Sequence, residues 1–190
     1  PRIYSPETRL VVLTGNAGDG KTAYIQRLES LARDQGARFS EQTDNGCTYK
    51  MDGIAYQTLY DGSQDFEGAK NDQILKEFFS DLEGTAEPKG AFTKIIAINE
   101  GKLRDFILNK REYSWLGRQV HHYFESDSFT PHKSLIFINL NLRSVVSDNE
   151  NEPSIFDLIL DRFLDKEGPM GFWNACAPEN CSYANRCYIH

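Results

Sequence analysis

The sequence predicts an α/β fold, a mostly parallel central sheet layered between helices in a three-layer sandwich. Three observations predict it. Short continuous apolar runs recur at Leu10–Leu13, Phe92–Ile98 and Leu135–Ile138, as expected of strands covered on both faces. Stretches between them carry apolar residues at helical spacing. The two patterns alternate along the chain, which is how parallel strands joined by crossover helices are encoded.

Each element has its own local signal. Leu10-Val11-Val12-Leu13 reads as a central strand, followed by a glycine-rich stretch and a helix from about Lys21 to Gln35. In that helix Tyr24, Leu28 and Leu31 share a stripe, Ile25 and Ala32 lie beside it, and Gly36 stands where a C-terminal cap belongs. Residues 47–60 read as a hairpin, with Asp52-Gly53 as the tight turn between Cys47–Lys50 and Ile54–Tyr60. A polar loop, Asp61–Lys70, precedes an amphipathic helix bearing Ile74, Leu75, Phe78, Phe79 and Leu82, with Gly84 after it. Beyond the strand Phe92–Ile98, Leu103, Phe106 and Ile107 open another helix, and Leu116, Val120, Tyr123 and Phe124 mark a further one. Leu135–Ile138 is the third central strand, and Pro153 starts a last helix carrying Phe156, Ile159, Leu160, Phe163 and Leu164. After Gly168 the pattern dissolves, so the expected domain spans 1–168 and a Cys-rich tail spans 169–190.

Composition narrows the class. With 190 residues, 39% hydrophobic and 26% charged, the chain has the material for one domain with a real core and is not of disordered type. No apolar run approaches the roughly 18 residues of a membrane span, and no basic-then-apolar leader opens the chain. Four cysteines, three of them crowded at the end, do not form a secreted disulfide framework, so a cytoplasmic protein is expected. With 21 Lys+Arg against 28 Asp+Glu the net charge is −7, which argues against the whole chain as a non-specific nucleic-acid binder and leaves room for a local basic patch.

The decisive feature is Gly15-Asn16-Ala17-Gly18-Asp19-Gly20-Lys21-Thr22, an unbroken G-x-x-x-x-G-K-T between an apolar strand and an amphipathic helix. Glycines let the backbone curl so that successive N–H groups face phosphate oxygens, and the helix beginning at Lys21 adds its positive dipole end. Lys21 can reach the β- and γ-phosphates, and the Thr22 hydroxyl is a ligand for Mg²⁺. The expected ligand is ATP with Mg²⁺, on a P-loop nucleotide-binding domain.

Such a site needs an acidic residue on a second strand ending beside the loop. Two places compete: Asp61, which ends Leu59-Tyr60-Asp61-Gly62-Ser63-Gln64-Asp65, and Asn99-Glu100, which ends Ile95-Ile96-Ala97-Ile98. Asp61 before a glycine is equally a common turn aspartate, and Glu100 equally a helix-start acid. The order P-loop, Asp-ended strand, amphipathic helix, Asn-ended strand, helix, strand resembles the AAA+ and STAND ATPases. That resemblance implies an AAA-like fold with Asp61 holding Mg²⁺ and Asn99 sensing the γ-phosphate or orienting water. Gly62 stands where that family's catalytic glutamate usually follows, so the general base falls to Glu100, Asp65 or Gln64. In the rival layout Asn99-Glu100 carries the acid and Glu100 activates water. Arg143 and Arg104, near strand ends, are the arginines placed to neutralise a transition state.

The P-loop string, the Tyr60–Asp65 block, Ile98-Asn99-Glu100-Gly101 and the terminal cysteines together are similar to the ATPase region of bacterial phage-defence proteins. The nearest kind is the DptF-like ATPases of phosphorothioation-dependent DNA restriction, over about residues 8–190. The resemblance implies a segment of a longer protein that powers or gates restriction together with partner subunits or copies of itself, reaching DNA through those partners and without a membrane. The alternative is a nucleotide-dependent switch or scaffold with little hydrolysis.

Cys176, Cys181, Cys187 and His190 are spaced C-x4-C-x5-C-x2-H, a donor set that can close a tetrahedral zinc site. An iron–sulfur cluster on the three thiols, or a packed tail without metal, are the alternatives. Cys47 reads as a strand residue, and His121, His122 and His132 as surface residues without convergent partners.

Overall fold

A computed structural model of the chain describes residues 2–65, 70–126, 132–142 and 154–164. The chain divides into two compact units, Pro1–Leu142 and Arg143–His190. Arg143, Pro153 and the cysteine tail with His190 lie outside the described residues.

The first unit is α/β. Its strands are β1 (Leu10–Thr14), β2 (Arg38–Thr43), β3 (Gly46–Met51), β4 (Ile54–Leu59), β5 (Phe92–Ala97) and β6 (Leu135–Asn139). Its helices are α1 (Lys21–Asp34), α2 (Asn71–Phe79), α3 (Glu100–Leu108) and α4 (Ser114–Glu125). The strands form one sheet in the order β2-β3-β4-β5-β1-β6. β1 lies between β5 and β6 and runs parallel to both, and β4 runs parallel to β5. The far edge, β2-β3-β4, is antiparallel.

That edge is more antiparallel than the strand pattern suggests, because β2 carries almost no apolar signal. Arg38-Phe39-Ser40-Glu41-Gln42-Thr43 has one large apolar residue, and its register against β3 shifts between Phe39 and Glu41. A charged, irregular outer strand resists pairing with other chains, so its sequence is shaped by the edge and not by a core. The turn joining β3 to β4 follows expectation: Asp52 and Gly53 both take positive φ, 51° and 79°, as a type I′ hairpin requires.

Two cores lie on opposite faces of the sheet, and β1 divides itself between them by strand alternation. Leu10 and Val12 pack with Leu75, Phe79, Leu103, Phe106 and Leu116 from α2, α3 and α4. Val11 and Leu13 pack with Ile25, Leu28 and Ala32 of α1 and with Tyr49 and Tyr56 of the antiparallel edge. All four β1 side chains are fully buried. Removing one Leu from such a strand costs about 2–5 kcal/mol, so β1 is a rigid base for the loop that leaves it.

His132 departs from its expected place at the surface. It is half-buried, its Nδ1 lies 2.8 Å from Ser134 Oγ and 3.5 Å from the Glu87 carboxylate, and its ring meets Trp115 edge-on at 5.6 Å. His121 and His122 are exposed, with His121 3.4 Å from Glu125 one turn on. No helix among the described residues is long and apolar enough to cross a membrane.

The described part of the second unit is α5 (Ile155–Leu164). Ser154 and Asp157 cap its start reciprocally: Asp157 N–H donates to Ser154 Oγ at 3.0 Å, and Ser154 N–H to Asp157 Oδ2 at 2.9 Å. The Ser154 hydroxyl, donating to Asp157 Oδ2 at 2.6 Å, and then the Ser154 N–H hold the Asp157 carboxyl below the usual carboxylate range.

Candidate functional site

Parallel strands deliver their C-terminal ends to one edge of the sheet, the edge where open α/β sheets bind ligands. Here β1 leads into Gly15, β4 into Asp61 and β5 into Asn99. A cavity of about 590 Å³ opens there, within the size range of small-molecule sites. Gly15, Ala17, Gly18, Gly20, Lys21, Thr22, Asp61, Gln64 and Asn99 contribute to its wall, and Lys21 and Asp61 are the only charged side chains among the lining residues.

The loop's backbone is set by its glycines. Gly18 and Gly20 take φ of 88° and 82°, conformations L side chains rarely adopt. Gly15 is confined by space as well: a Cβ there would lie 2.6 Å from Asp19 Oδ2 and 3.2 Å from Leu140 Cβ. Gly20 is the N-cap of α1 and supplies no side-chain acceptor, so the first N–H groups of α1 have no side-chain cap. Uncapped N–H groups at the positive end of a helix attract an anion. Asn16 N–H is already taken, by the Asp19 carboxylate and by Asn141 Oδ1 at 3.1 Å. Lys21 Nζ folds back on the loop, donating to Gly15 O at 3.0 Å and Asn16 O at 2.6 Å. Those bonds hold the ammonium at the loop.

The opposite wall is held together by hydrogen bonds, one of them to the loop. Thr22 Oγ1 donates to Tyr60 O at 3.1 Å, Gly62 N–H to Ala97 O at 2.8 Å, Ile98 N–H to Leu13 O at 3.0 Å and Asn99 N–H to Ser63 Oγ at 2.8 Å. Asn45 grips Asp61 by its backbone, accepting from its N–H at 2.8 Å and donating to its carbonyl at 3.2 Å. Asp61 Oδ1 accepts from Ser63 N–H at 2.8 Å, so the residue is a turn aspartate and also the one carboxylate in the cavity wall. Asn99 is the N-cap of α3, its Oδ1 accepting from Gly101 N–H at 2.8 Å and Lys102 N–H at 3.4 Å.

The remaining residues singled out in the sequence lie elsewhere. Glu100 opens α3 but is absent from the cavity wall. Asp65 accepts from Asn71 N–H at 2.7 Å at the start of α2. Arg104 sits over the Phe124 ring, 3.6 Å from Glu125. A Cβ at Gly62 would lie 2.7 Å from Ile96 Cδ1 and 3.2 Å from Leu75 Cδ2, so a larger residue there has to displace the ends of those core side chains. Among the described residues no cluster of three or more His, Cys, Asp or Glu is gathered as for a metal ion, and the tail ligands Cys176, Cys181, Cys187 and His190 lie outside them.

Sequence reasoning missed the residues that hold the walls in place: Asn45, Ser63 and Asn71 on the Asp61 side and Asn141 on the loop side. Asn71 is buried and donates to the carbonyls of Gly62 at 2.9 Å and Gln64 at 3.1 Å. A separate concavity of about 660 Å³ between α3 and α4 is lined by Lys110, Arg111, Arg118, His121 and His122 with no carboxylate, the local basic patch that the composition allows. The chain matches no protein-family model, no curated protein and no solved structure.

Proposed function

We propose that this chain is a P-loop nucleotide-binding domain that takes ATP with Mg²⁺ at the cavity formed by Gly15–Thr22, Asp61 and Asn99. One observation carries the proposal: the glycine loop, the uncapped start of α1, the Lys21 ammonium, the Thr22 hydroxyl and the Asp61 carboxylate all meet at a single cavity. Loop and helix N–H groups would hold phosphate oxygens, and Lys21 would exchange its two carbonyl partners for phosphate. The donor set fits Mg²⁺, for Thr22 gives its proton to Tyr60 O and keeps its lone pairs. Asp61 has one oxygen in its turn and a second to offer. The chemistry Mg²⁺ supplies is neutralisation of charge on the β- and γ-phosphate oxygens.

Within that class, the chain order and the positions of Asp61 and Asn99 support an AAA-like module of the kind found in DptF-like phage-defence ATPases, working in the cytoplasm with partner subunits. The cavity wall favours slow hydrolysis. Of Glu100, Asp65 and Gln64, only Gln64 contributes to it, and a glutamine can orient water but not deprotonate it. The nucleotide-dependent switch therefore gains support from Gly62, which stands where a glutamate would follow Asp61 and whose Cβ direction meets Ile96 and Leu75.

Calorimetric titration with Mg²⁺ and ATP tests the binding claim. Lys21→Ala should weaken affinity roughly 100-fold or more, the scale of losing two charge-assisted hydrogen bonds. Near-normal affinity in a folded variant would overturn it.

A further inference from the structure

Glu29 is a carboxylate in the wrong place for a solvent-facing helix residue. It lies on the buried stripe of α1 with Ile25, Leu28 and Ala32 and is 6% exposed. It forms no ion pair among the described residues; two hydroxyls satisfy it instead. Thr58 Oγ1 donates to Oε1 at 2.7 Å, and Tyr60 OH donates to Oε2 at 2.7 Å. A buried charge without a cation is costly, and an apolar side chain of similar size would cover this stretch of β4 more cheaply. The carboxylate therefore calls for a role that covering alone does not supply.

The placement of its partners supplies one. Thr22 and Glu29 are seven residues apart, on the same face of α1 and about 10 Å apart along its axis. Both hold Tyr60. Thr22 donates to its carbonyl and Glu29 accepts from its phenol. Tyr60 is thus a strut gripped at both ends by one helix, and the next residue is Asp61. Thr58 adds a further fixed point, because its Oγ1 also accepts from Cys47 N–H at 2.8 Å. A tilt of α1 against β4 would break one grip or the other.

We infer that Glu29 is a positioning residue of the nucleotide site: through Tyr60 it fixes α1 against the end of β4, so that the Thr22 hydroxyl and the Asp61 carboxylate face one Mg²⁺ position. The inference rests on the P-loop proposal above. Glu29 touches neither nucleotide nor metal, and its effect is confined to the Mg²⁺-dependent part of binding.

The test is a fluorescent-ATP titration of the whole chain, first in EDTA and then at rising Mg²⁺, with thermal melting as a check on folding. Tyr60→Phe removes one oxygen and should raise the Mg²⁺ concentration for half-maximal effect about tenfold, the scale of one hydrogen bond to a charged group. Its affinity in EDTA should stay within about twofold of the parent, less than one weak hydrogen bond. Glu29→Ala should shift the Mg²⁺ midpoint at least as far, and Glu29→Gln, which keeps one acceptor, should recover part of the loss. An unchanged Mg²⁺ midpoint in folded Tyr60→Phe and Glu29→Gln would overturn the inference. So would affinities in EDTA and in Mg²⁺ that fall in parallel, as a merely structural residue predicts. Parent protein that binds nucleotide and loses it in Lys21→Ala, while Tyr60→Phe behaves as parent, sinks this inference alone. Parent protein that binds no nucleotide sinks both.

Discussion

The two walls of the cavity differ in how their polar groups are committed. The loop wall keeps donors in reserve: α1 begins without a side-chain cap, and Lys21 is held only by two loop carbonyls. The opposite wall has largely committed its groups to structure, with Asp61 Oδ1 in a turn and Asn99 Oδ1 on the start of α3. Two helices therefore start at the same edge of the sheet under opposite rules. α3 is closed by its own asparagine, whereas α1 is left open behind glycines. An open start leaves N–H groups that a ligand can take, and the proposed nucleotide binding accordingly falls on the loop side.

Substitutions can break this contrast or sharpen it. The largest effect on folding is expected at Gly62. A glutamate there would restore the acid that the AAA+ resemblance lacks, but its Cβ points at Ile96 and Leu75. Gly62→Glu should cost about 3 kcal/mol, from overpacking and from burying a carboxylate, without faster phosphate release. A stable, faster enzyme would show that position 62 faces the cavity after all.

A smaller effect separates Asn99 from Asp61. Asn99→Ala removes a cap and should cost about 1 kcal/mol in a urea melt, while Asn99→Asp, also a good cap, restores most of it. Asp61→Ala should instead weaken Mg²⁺-dependent nucleotide binding more than Asn99→Ala does. The reverse ranking would support the layout in which Asn99-Glu100 carries the metal site.

The smallest effect concerns the floor beneath β4. Burial pushes the Cys47 thiol from 9.0 up to about 12. The unfolded chain therefore loses this proton first, so folding stability is fullest below pH 9 and declines as pH rises from there. The reactive thiolate is likewise suppressed in the folded state. At pH 8 iodoacetamide should leave Cys47 unlabelled in native protein and label it in urea, as read by peptide mass spectrometry. Equal labelling in both would contradict the burial.

The loop wall was legible as a glycine-rich turn between a strand and a helix, because its signal is local: glycine positions, a lysine and a hydroxyl follow one another in eight residues, Gly15–Thr22. The buried strands β1 and β5 were legible for the same reason, each being a continuous apolar run, whereas Leu135–Ile138, expected as a central strand, forms the sheet's edge, with Leu135 buried and the rest only half-buried. The other wall depends on pairings between distant segments, such as Asn45 with Asp61 and Ser63 with Asn99, which no local pattern encodes. Strand β2 was missed because an edge strand needs no apolar alternation. Glu29 did leave a trace: it is a charge on the apolar stripe of α1, between Leu28 and Ala32. A charge in a stripe that otherwise faces the core signals a buried hydrogen-bonded partner. The position of Gly62 against Ile96 was invisible, since it follows from how the loop after β4 packs over β5.

The contrast between the walls is tested most directly by backbone amide spectra recorded during a titration with Mg²⁺ and ATP. The amides of Gly18–Ala23 should show the largest shifts, since their N–H groups take up phosphate. The Gly101 and Lys102 amides, already bonded to Asn99 Oδ1, should move little. Saturating nucleotide that leaves the Gly18–Ala23 amides in place, or moves the α3 start more than the loop, would contradict the assignment of binding to this loop.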